Sequence, residues 1–351
     1  MQLRSRLGLP HQPYPGRFFN ICMMENQFEL LKQRAEQGDA AAQWDLALYY
    51  CEHPDEGRPY DWIDWARKAA EQGHPEAEVC VGNFCEEHLD EPQAVIWYKR
   101  AAEHGYTLGD YYLGLCYKEG RGGLPLDLKQ AERCFLRASN YVEAAYEYYE
   151  CYRIRTGNDD ETEEESEQAI RLLAQSANGG YAPAQYTLGR LYESFNDYEE
   201  ARTYLEAAAK QGYAAAVEYQ CAVYAQQCMD AGDFKTALKY LKKGIKKDVI
   251  GICTYMCGDF WEHNYGGLLP WDDNQPNRSP RIAIASHWYS CSCIRGYEPA
   301  LQQVKRCFLI ENQVEPTTEH IAAVESSLKN ESLILTYEGI RTIYYDGHPD
   351  W

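Results

Sequence analysis

Long apolar runs are absent from this 351-residue sequence. No window approaches the roughly 18 to 20 consecutive apolar residues that a membrane-spanning helix needs. The first twenty residues also lack the apolar stretch of about 7 to 15 residues that marks a secretory signal. The sequence therefore predicts a cytoplasmic protein without membrane contact.

Positive charge is scarce. The chain has 34 Lys and Arg against 54 Asp and Glu, which gives a formal net charge of -20 and a pI near 4.9. Such a charge repels phosphate backbones and anionic lipid surfaces, so nucleic acid and membrane are excluded as expected partners. A basic protein fits it, because opposite charges steer docking. The alternative is that the acidity only keeps the protein dispersed.

Motifs of catalysis are missing as well. There is no phosphate-binding glycine loop with lysine, no zinc-protease helix motif and no hydrolase serine elbow, and the nine histidines are scattered. We therefore predict no enzyme and no cofactor. The sequence carries 14 cysteines, which we interpret as small buried hydrophobic residues, the usual role of free cysteine.

One cysteine group could suggest zinc, which takes four converging thiolate or imidazole ligands. It consists of Cys253, Cys257, Cys291 and Cys293, with His287 nearby. Cys291 and Cys293 lie two positions apart and would point about 200° away from each other on a regular helix of 3.6 residues per turn. The sequence therefore predicts no metal site.

What the chain has in abundance is internal repetition. The segment from Ala66 to Gly73 reads ARKAAEQG, and the segment from Tyr98 to Gly105 reads YKRAAEHG. Similar phrases end at Gly38, Gly180 and Gly212. Small residues recur four and nine positions after each glycine, and a large side chain recurs eight positions before it.

This spacing predicts stacked helix hairpins. Each glycine ends a first helix, because the C′ position needs a positive φ, and small residues let neighbouring helices come close. In one shortened copy, Asn140 is expected to take the glycine's left-handed place. Aspartates are expected to cap helix starts, and they are Asp61, Asp127, Asp197 and Asp233. Each hairpin leaves an apolar face open, so the hairpins must stack.

The phrase from Ala94 to Gly105, continued by LGLCY up to Tyr117 and a glycine-rich loop up to Asp127, resembles the Sel-like repeat, a relative of the tetratricopeptide repeat. The resemblance covers residues 30–300 in about eight copies. It implies an all-α fold, a right-handed superhelical solenoid of antiparallel helix hairpins with a C-terminal helical cap. We expect a flexible N-terminal segment at 1–24, the solenoid at 25–305 and the cap at 306–351.

The resemblance also implies protein binding, since members of the family act as adaptors, scaffolds and regulators. Two narrower hypotheses stay open. One is a bacterial immunity protein that neutralises a basic toxin, and the other is a general adaptor for several clients. The sequence leaves the oligomeric state open.

Candidate partner-binding residues are aromatic or acidic. Adjacent tyrosines on a helix cannot all face the core, and tyrosine is enriched at interface hot spots. The acidic run before the predicted helix at 163 could bind basic side chains, or it could be a solvated loop whose end forms the first helical turn. A tryptophan in the expanded loop after 263 could anchor a partner or fold back onto the repeats. The candidates are Tyr111, Tyr112, Tyr148, Tyr149, Asp159, Asp160, Glu163, Glu164, Trp271, Asp272 and Asp273.

Overall fold

The computed structural model describes residues 25–53, 61–157, 163–247, 249–263, 285, 288–289, 291–293, 295 and 297–312. Every regular element within these ranges is a helix. The all-α class predicted from the repeats is therefore confirmed.

The helices follow one another with short connections. They are α1 (Glu25–Glu36), α2 (Ala40–Glu52), α3 (Asp61–Glu71), α4 (Pro75–Glu87), α5 (Glu91–Glu103), α6 (Thr107–Glu119), α7 (Leu128–Arg137), α8 (Val142–Thr156), α9 (Glu163–Asn178), α10 (Ala182–Ser194), α11 (Tyr198–Lys210), α12 (Ala214–Asp230), α13 (Phe234–Ile245), α14 (Ile252–His263) and α15 (Pro299–Asn312). A helical stretch that includes Ala285 and residues 288–289 and 291–293 precedes α15. The order of the described helices fits the predicted series of about eight hairpins.

The chain divides into two compact units, Met1–Ala184 and Gln185–Trp351. In the first unit, consecutive helices pack on each other from α1 through α9, so that the last of these contacts joins α8 and α9. In the second unit, consecutive helices pack on each other from α11 through α14. The expected boundary between 305 and 306 falls inside α15. The expected N-terminal segment 1–24 and the rest of the expected cap, from 313 on, lie outside the described residues.

The turn glycines behave as predicted. Gly73 and Gly105 end their helices with φ of 85° and 77°, in the left-handed region that other residues rarely adopt. The prediction for Asn140 is wrong, because Leu89 and Asn196 are the only described non-glycine residues with positive φ. The shortened turn closes instead when the N–H of Tyr141 donates to the carbonyl of Ala138 at 2.9 Å.

Aspartate caps are partly as predicted. Asp127 and Asp233 precede α7 and α13 and accept a hydrogen bond from the backbone N–H three residues later. Asp197 occupies the N-cap of α11 without such a bond. Asp61 is not a cap, because it already lies in the first turn of α3. The equivalent bond before α2 comes from Asp39, which the sequence analysis missed.

Successive hairpins meet where a small residue faces a large one. A Cβ atom added to Gly82 on α4 would lie 2.5 Å from Cε1 of Tyr98 on α5, and one added to Gly114 on α6 would lie 2.7 Å from Cε1 of Phe135 on α7. Both rings are almost fully buried. In the second unit, Gly189 makes the same kind of contact with Leu205. The predicted role of the small residues in close helix crossings is confirmed.

A buried polar residue five positions after the turn glycine joins one hairpin to the next in four copies, at Gln43, Glu78, Asp110 and Gln185. Glu78 is fully buried on α4, and its Oε2 lies 2.8 Å from Nδ1 of His104, which directly precedes the next turn glycine. Nε of Arg100 completes the ion pair at 3.0 Å from Oε1. Equivalent side-chain hydrogen bonds are donated elsewhere to the buried polar residue of the preceding hairpin. They run from Gln72 to Gln43, from Arg137 to Asp110 and, in the second unit, from Gln211 to Gln185.

The cysteines belong to the core, as the sequence predicted. Thirteen of them fall within the described residues, where ten are buried and three are partly buried. Burial raises the pKa of Cys116 to about 11 and that of Cys151 to about 12. Thiols held so far from ionisation are poor nucleophiles and poor metal ligands at neutral pH.

The small-on-large contact predicts the effect of Gly82→Ala. A glycine-to-alanine change inside a helix normally stabilises by up to about 1 kcal/mol. Here the added methyl group would overlap the buried ring of Tyr98, and overpacking of a filled core costs about 1–3 kcal/mol. We expect a lower free energy of unfolding in urea, measured by circular dichroism. A more stable variant would contradict the contact.

The buried carboxylate predicts the effect of Glu78→Ala. The change removes the acceptor shared by Arg100 and His104, whose side chains are 34% and 43% exposed. Because water can partly replace the carboxylate, we expect a loss of about 1–3 kcal/mol in the free energy of unfolding rather than the full cost of an isolated buried charge. Glu87→Ala, an exposed position on the same helix, is the control and should stay within about 0.5 kcal/mol. An equal loss of unfolding free energy in the two variants would show that the buried carboxylate of Glu78 does not stabilise the contact between hairpins.

Candidate functional site

Two of the four candidate tyrosines pack into the core, Tyr148 as a buried residue and Tyr112 as a half-buried one. Tyr148 is only 6% exposed and packs with Phe135 and Cys151. The ring of Tyr112 stacks on the buried ring of Tyr98, with centroids 5.0 Å apart and an interplanar angle of 16°. Burial raises the pKa of Tyr112 to about 12. We therefore leave Tyr148 and Tyr112 out of the candidate surface.

The acidic candidates are only partly described. Glu163 and Glu164 are exposed in the first turn of α9, where negative charge favours the helix dipole. This is the placement expected if the end of the acidic run starts the next helix. Asp159, Asp160, Trp271, Asp272 and Asp273 lie outside the described residues. Binding by the acidic residues and by Trp271 stays a prediction.

Of the other two candidate tyrosines, Tyr149 is half-buried against the core cluster that contains Phe135 and Tyr148. Tyr111 belongs to an aromatic pattern that the sequence analysis missed. Tyrosine occupies the position directly after the turn in five copies: Tyr106, Tyr141, Tyr181, Tyr213 and Tyr297. At this position the chain enters the second helix of the hairpin. The spacing was visible in the sequence, but tyrosine alone does not reveal whether a ring faces the core or the solvent.

Three of these tyrosines, Tyr181, Tyr213 and Tyr297, contact a tyrosine ring of the preceding hairpin. In the first unit, the ring centroids of Tyr146 on α8 and Tyr181 before α10 lie 5.4 Å apart in an edge-to-face arrangement. Tyr111 on α6 and Tyr141 before α8 pack against the same two core clusters. We name Tyr111, Tyr141, Tyr146 and Tyr181 the tyrosine surface. All four are neither fully buried nor fully exposed.

The second unit repeats this ring contact on its own. The ring centroids of Tyr186 on α10 and Tyr213 before α12 lie 5.6 Å apart. Those of Tyr255 on α14 and Tyr297 before α15 lie 5.2 Å apart. The tyrosine pattern is therefore a property of the repeat, and acidic side chains lie near it in the second unit too, where Glu218 and Glu193 are close to Tyr186.

Carboxylates lie near two residues of the tyrosine surface, Tyr111 and Tyr141. Burial, followed by the charges of nearby groups that include Glu147 and Glu143, raises the pKa of Tyr111. Burial, with Glu143 and Glu76 nearby, likewise raises the pKa of Tyr141. Lys118 offsets Glu147 in an ion pair of 2.5 Å. The phenols therefore stay protonated next to a negative potential, which is an environment that attracts cationic side chains.

Other kinds of site find little support in the described part of the chain. Among those residues no group of three or more His, Cys, Asp or Glu side chains could hold a metal ion. Cys253 and Cys257 are buried in the core beside Leu241 and Phe260, and His287 lies outside the described residues. A search of the described helices finds none that is both long and apolar enough to cross a bilayer.

Comparison with known proteins agrees with the repeat architecture. The Sel1 repeat model matches residues 63–74, 82–106, 108–140 and 182–213. A solved structure of a protective antigen of uropathogenic Escherichia coli with an SLR fold is 21% identical, at a TM-score of 0.55, over 91% of this chain and 67% of that one.

Two curated relatives carry functional names. The chitin synthase regulator SKT5 of Saccharomyces cerevisiae is 29% identical over 56% of this chain and 31% of its own length. The DAP3-binding cell death enhancer 1 of Mus musculus is 35% identical over 35% of this chain and 24% of its own length. The chain thus spans about a third or less of these relatives.

The four matched segments fall on the stacked helix hairpins, and each contains at least one turn glycine or small helix-crossing residue that defines the repeat. The fold of the solved neighbour agrees with this assignment. The chain is an all-α repeat solenoid, and four of its segments match the Sel1 repeat model.

Proposed function

We propose that this chain is a protein-interaction scaffold whose tyrosine surface binds a basic segment of a partner protein. The observation that carries the proposal is the row of half-buried tyrosines flanked by Glu76, Glu143 and Glu147. Tyrosine rings give large contact areas at low entropic cost, which is why they are frequent among hot spots.

A basic partner suits this surface for two reasons. A lysine or arginine placed over a tyrosine face gains about 0.5–2 kcal/mol from the cation–π interaction. The adjacent carboxylates can then accept hydrogen bonds from the same cation. The net charge of -20 further speeds the encounter with a basic protein.

The names of the relatives favour an adaptor. One names a regulator and the other a binding protein, and neither names a toxin antagonist. Regulation through protein binding is therefore the form of the proposal that we retain. Action in the cytoplasm belongs to the same proposal, and fractionation of the source cells tests it.

The partner is to be found by pull-down from the source organism at about 0.1 M and about 0.5 M salt, since the higher salt screens exposed charge pairs. We expect one or a few basic proteins, identified by mass spectrometry, that are retained more weakly at high salt. If the retained proteins are not basic, the proposed charge complementarity is wrong.

Charge reversal should localise the interaction. Glu76→Lys/Glu143→Lys places two cations beside the tyrosine surface, and we expect at least about a tenfold loss of affinity for the partner in calorimetry. Glu163→Lys/Glu164→Lys is the matched control, because all four glutamates lie in the first turn of a helix. A larger loss of affinity in the Glu163→Lys/Glu164→Lys variant would indicate that the partner binds at the acidic run instead.

Truncation of the aromatic pair tests the tyrosines themselves. Tyr146→Ala or Tyr181→Ala should weaken binding by about 2 kcal/mol, or roughly 30-fold, if the ring is a hot spot. Tyr198→Ala removes a 62% exposed tyrosine of the second unit and should change affinity by less than about twofold. Unchanged binding by both of the first two variants, with normal helicity, would remove the tyrosine surface from the proposal.

A further inference from the structure

One helix departs from the acidic character of the chain. α13 and the two residues that follow Ile245 contain six lysines, at positions 235, 239, 242, 243, 246 and 247. Lys235, Lys239, Lys243, Lys246 and Lys247 are exposed, and Lys242 is partly exposed. Neither α13 nor these two residues contain an acidic residue. This is a concentrated positive charge in a protein of net charge -20.

The lysines occupy the side of α13 that faces away from the core. Ala237, Leu241 and Gly244 are buried and define the inner face of the helix. At about 100° per residue, Lys235, Lys239, Lys242, Lys243 and Lys246 fall within an arc of about 100° on the opposite face. We name these five residues the lysine stripe. It runs nearly the whole length of the helix, about 17 Å.

Among the described residues, four lysines of the stripe, Lys235, Lys239, Lys243 and Lys246, form no ion pair within 4.0 Å. By contrast, Arg100, Arg137 and Arg155 each bind a buried or partly buried carboxylate. Asp233 interacts with Lys239, but its carboxylate is committed to the N-cap of α13 through Thr236.

A neighbouring helix shows the arrangement that stability alone favours. On α11, Arg202 and Lys210 are paired with Glu199 and Glu206 at spacings of three or four residues. On α13 the same spacing brings lysine to lysine, as between Lys235 and Lys239 or Lys239 and Lys243. Like charges at this spacing destabilise a helix, whereas opposite charges stabilise it. Lys235 and Lys239 thus repel each other in the first half of the helix, where positive charge gains nothing from the helix dipole, which points to selection for something other than stability.

We propose that the lysine stripe binds an acidic segment of a partner protein. An extended peptide of five or six residues, at about 3.3 Å per residue, matches the length of the stripe. Its carboxylates would pair with the exposed ammonium groups of the stripe. This site lies on the second unit, is opposite in charge to the tyrosine surface, and does not depend on the function proposed for that surface.

A protein ligand fits the stripe better than a nucleic acid. Duplex DNA carries a charge about every 1.7 Å and extends far beyond a 17 Å helix, so its remaining phosphates would meet an acidic molecule. The stripe also contains lysine and no arginine, although arginine is the residue whose planar fork matches phosphate.

A labelled peptide tests the proposal directly. A fluorescein-labelled ten-residue glutamate peptide is titrated with the full chain at about 50 mM and about 300 mM salt, and binding is followed by fluorescence anisotropy. A single-stranded thymidine oligonucleotide and vesicles with phosphatidylserine are titrated in parallel. We expect the peptide to bind more tightly than either of the others, with an affinity that falls at high salt.

Charge reversal on the stripe should abolish this binding. Lys235→Glu/Lys239→Glu/Lys243→Glu should lower the affinity for the peptide at least about tenfold. The control Lys129→Glu/Arg133→Glu/Lys210→Glu makes the same change in net charge at exposed positions elsewhere and should lower it less than about threefold. Failure of the wild-type chain to bind the peptide, equal losses in both variants, or tighter binding of the oligonucleotide or vesicles would overturn the proposal.

A single substitution separates binding from folding. Lys239→Glu turns two repulsive pairs into attractive ones, so the thermal midpoint should rise by about one or two degrees. The same variant should bind the glutamate peptide several-fold more weakly. Opposite changes in stability and binding are expected only if the stripe serves a ligand. If the substitution lowers both, the lysines have a structural role and the proposal fails.

Discussion

The contact of a small residue with a large side chain on the next helix is the constraint on which the rest of the structure depends. At Gly82 and Gly114 the backbone approaches the rings of Tyr98 and Phe135 so closely that even a methyl group would overlap them. That approach fixes which face of each helix is inward. The buried pairing of Glu78 with Arg100 and His104 then fixes how one hairpin is placed on the next, because a buried carboxylate is tolerated only when its partners are in position.

Once these inner positions are assigned, the side chains that remain for function follow almost directly. The tyrosine after each turn enters the second helix at its start, so its ring lies against the preceding hairpin and is only half buried. The same rule places the lysines of α13 away from Ala237 and Leu241. The repeat therefore positions the candidate surfaces, while their charge depends on residues that the repeat leaves free to vary.

The sequence was most informative where geometry demands a single residue type. A positive φ demands glycine, so Gly73 and Gly105 could be recognised as turn residues, and close crossings demand small residues. It was less informative where several residue types satisfy one position. Tyr148 could not be told from Tyr149, because adjacent tyrosines differ only in the direction that the packed helix gives them. Asn140 misled, since a turn shortened in its copy can close without a left-handed residue.

Net charge gave a poor guide to the local surface. A value of -20 averaged over the whole chain describes long-range steering, which is screened beyond about 8–10 Å at physiological salt. Contacts are decided within that distance, where Glu143 lies beside tyrosines and Lys239 lies among other lysines. A scaffold with locally acidic and locally basic faces can distinguish a basic ligand from an acidic one by repulsion as well as attraction. The segregation of charge along the repeats, more than its sum, is therefore the property that would determine which proteins this solenoid brings together.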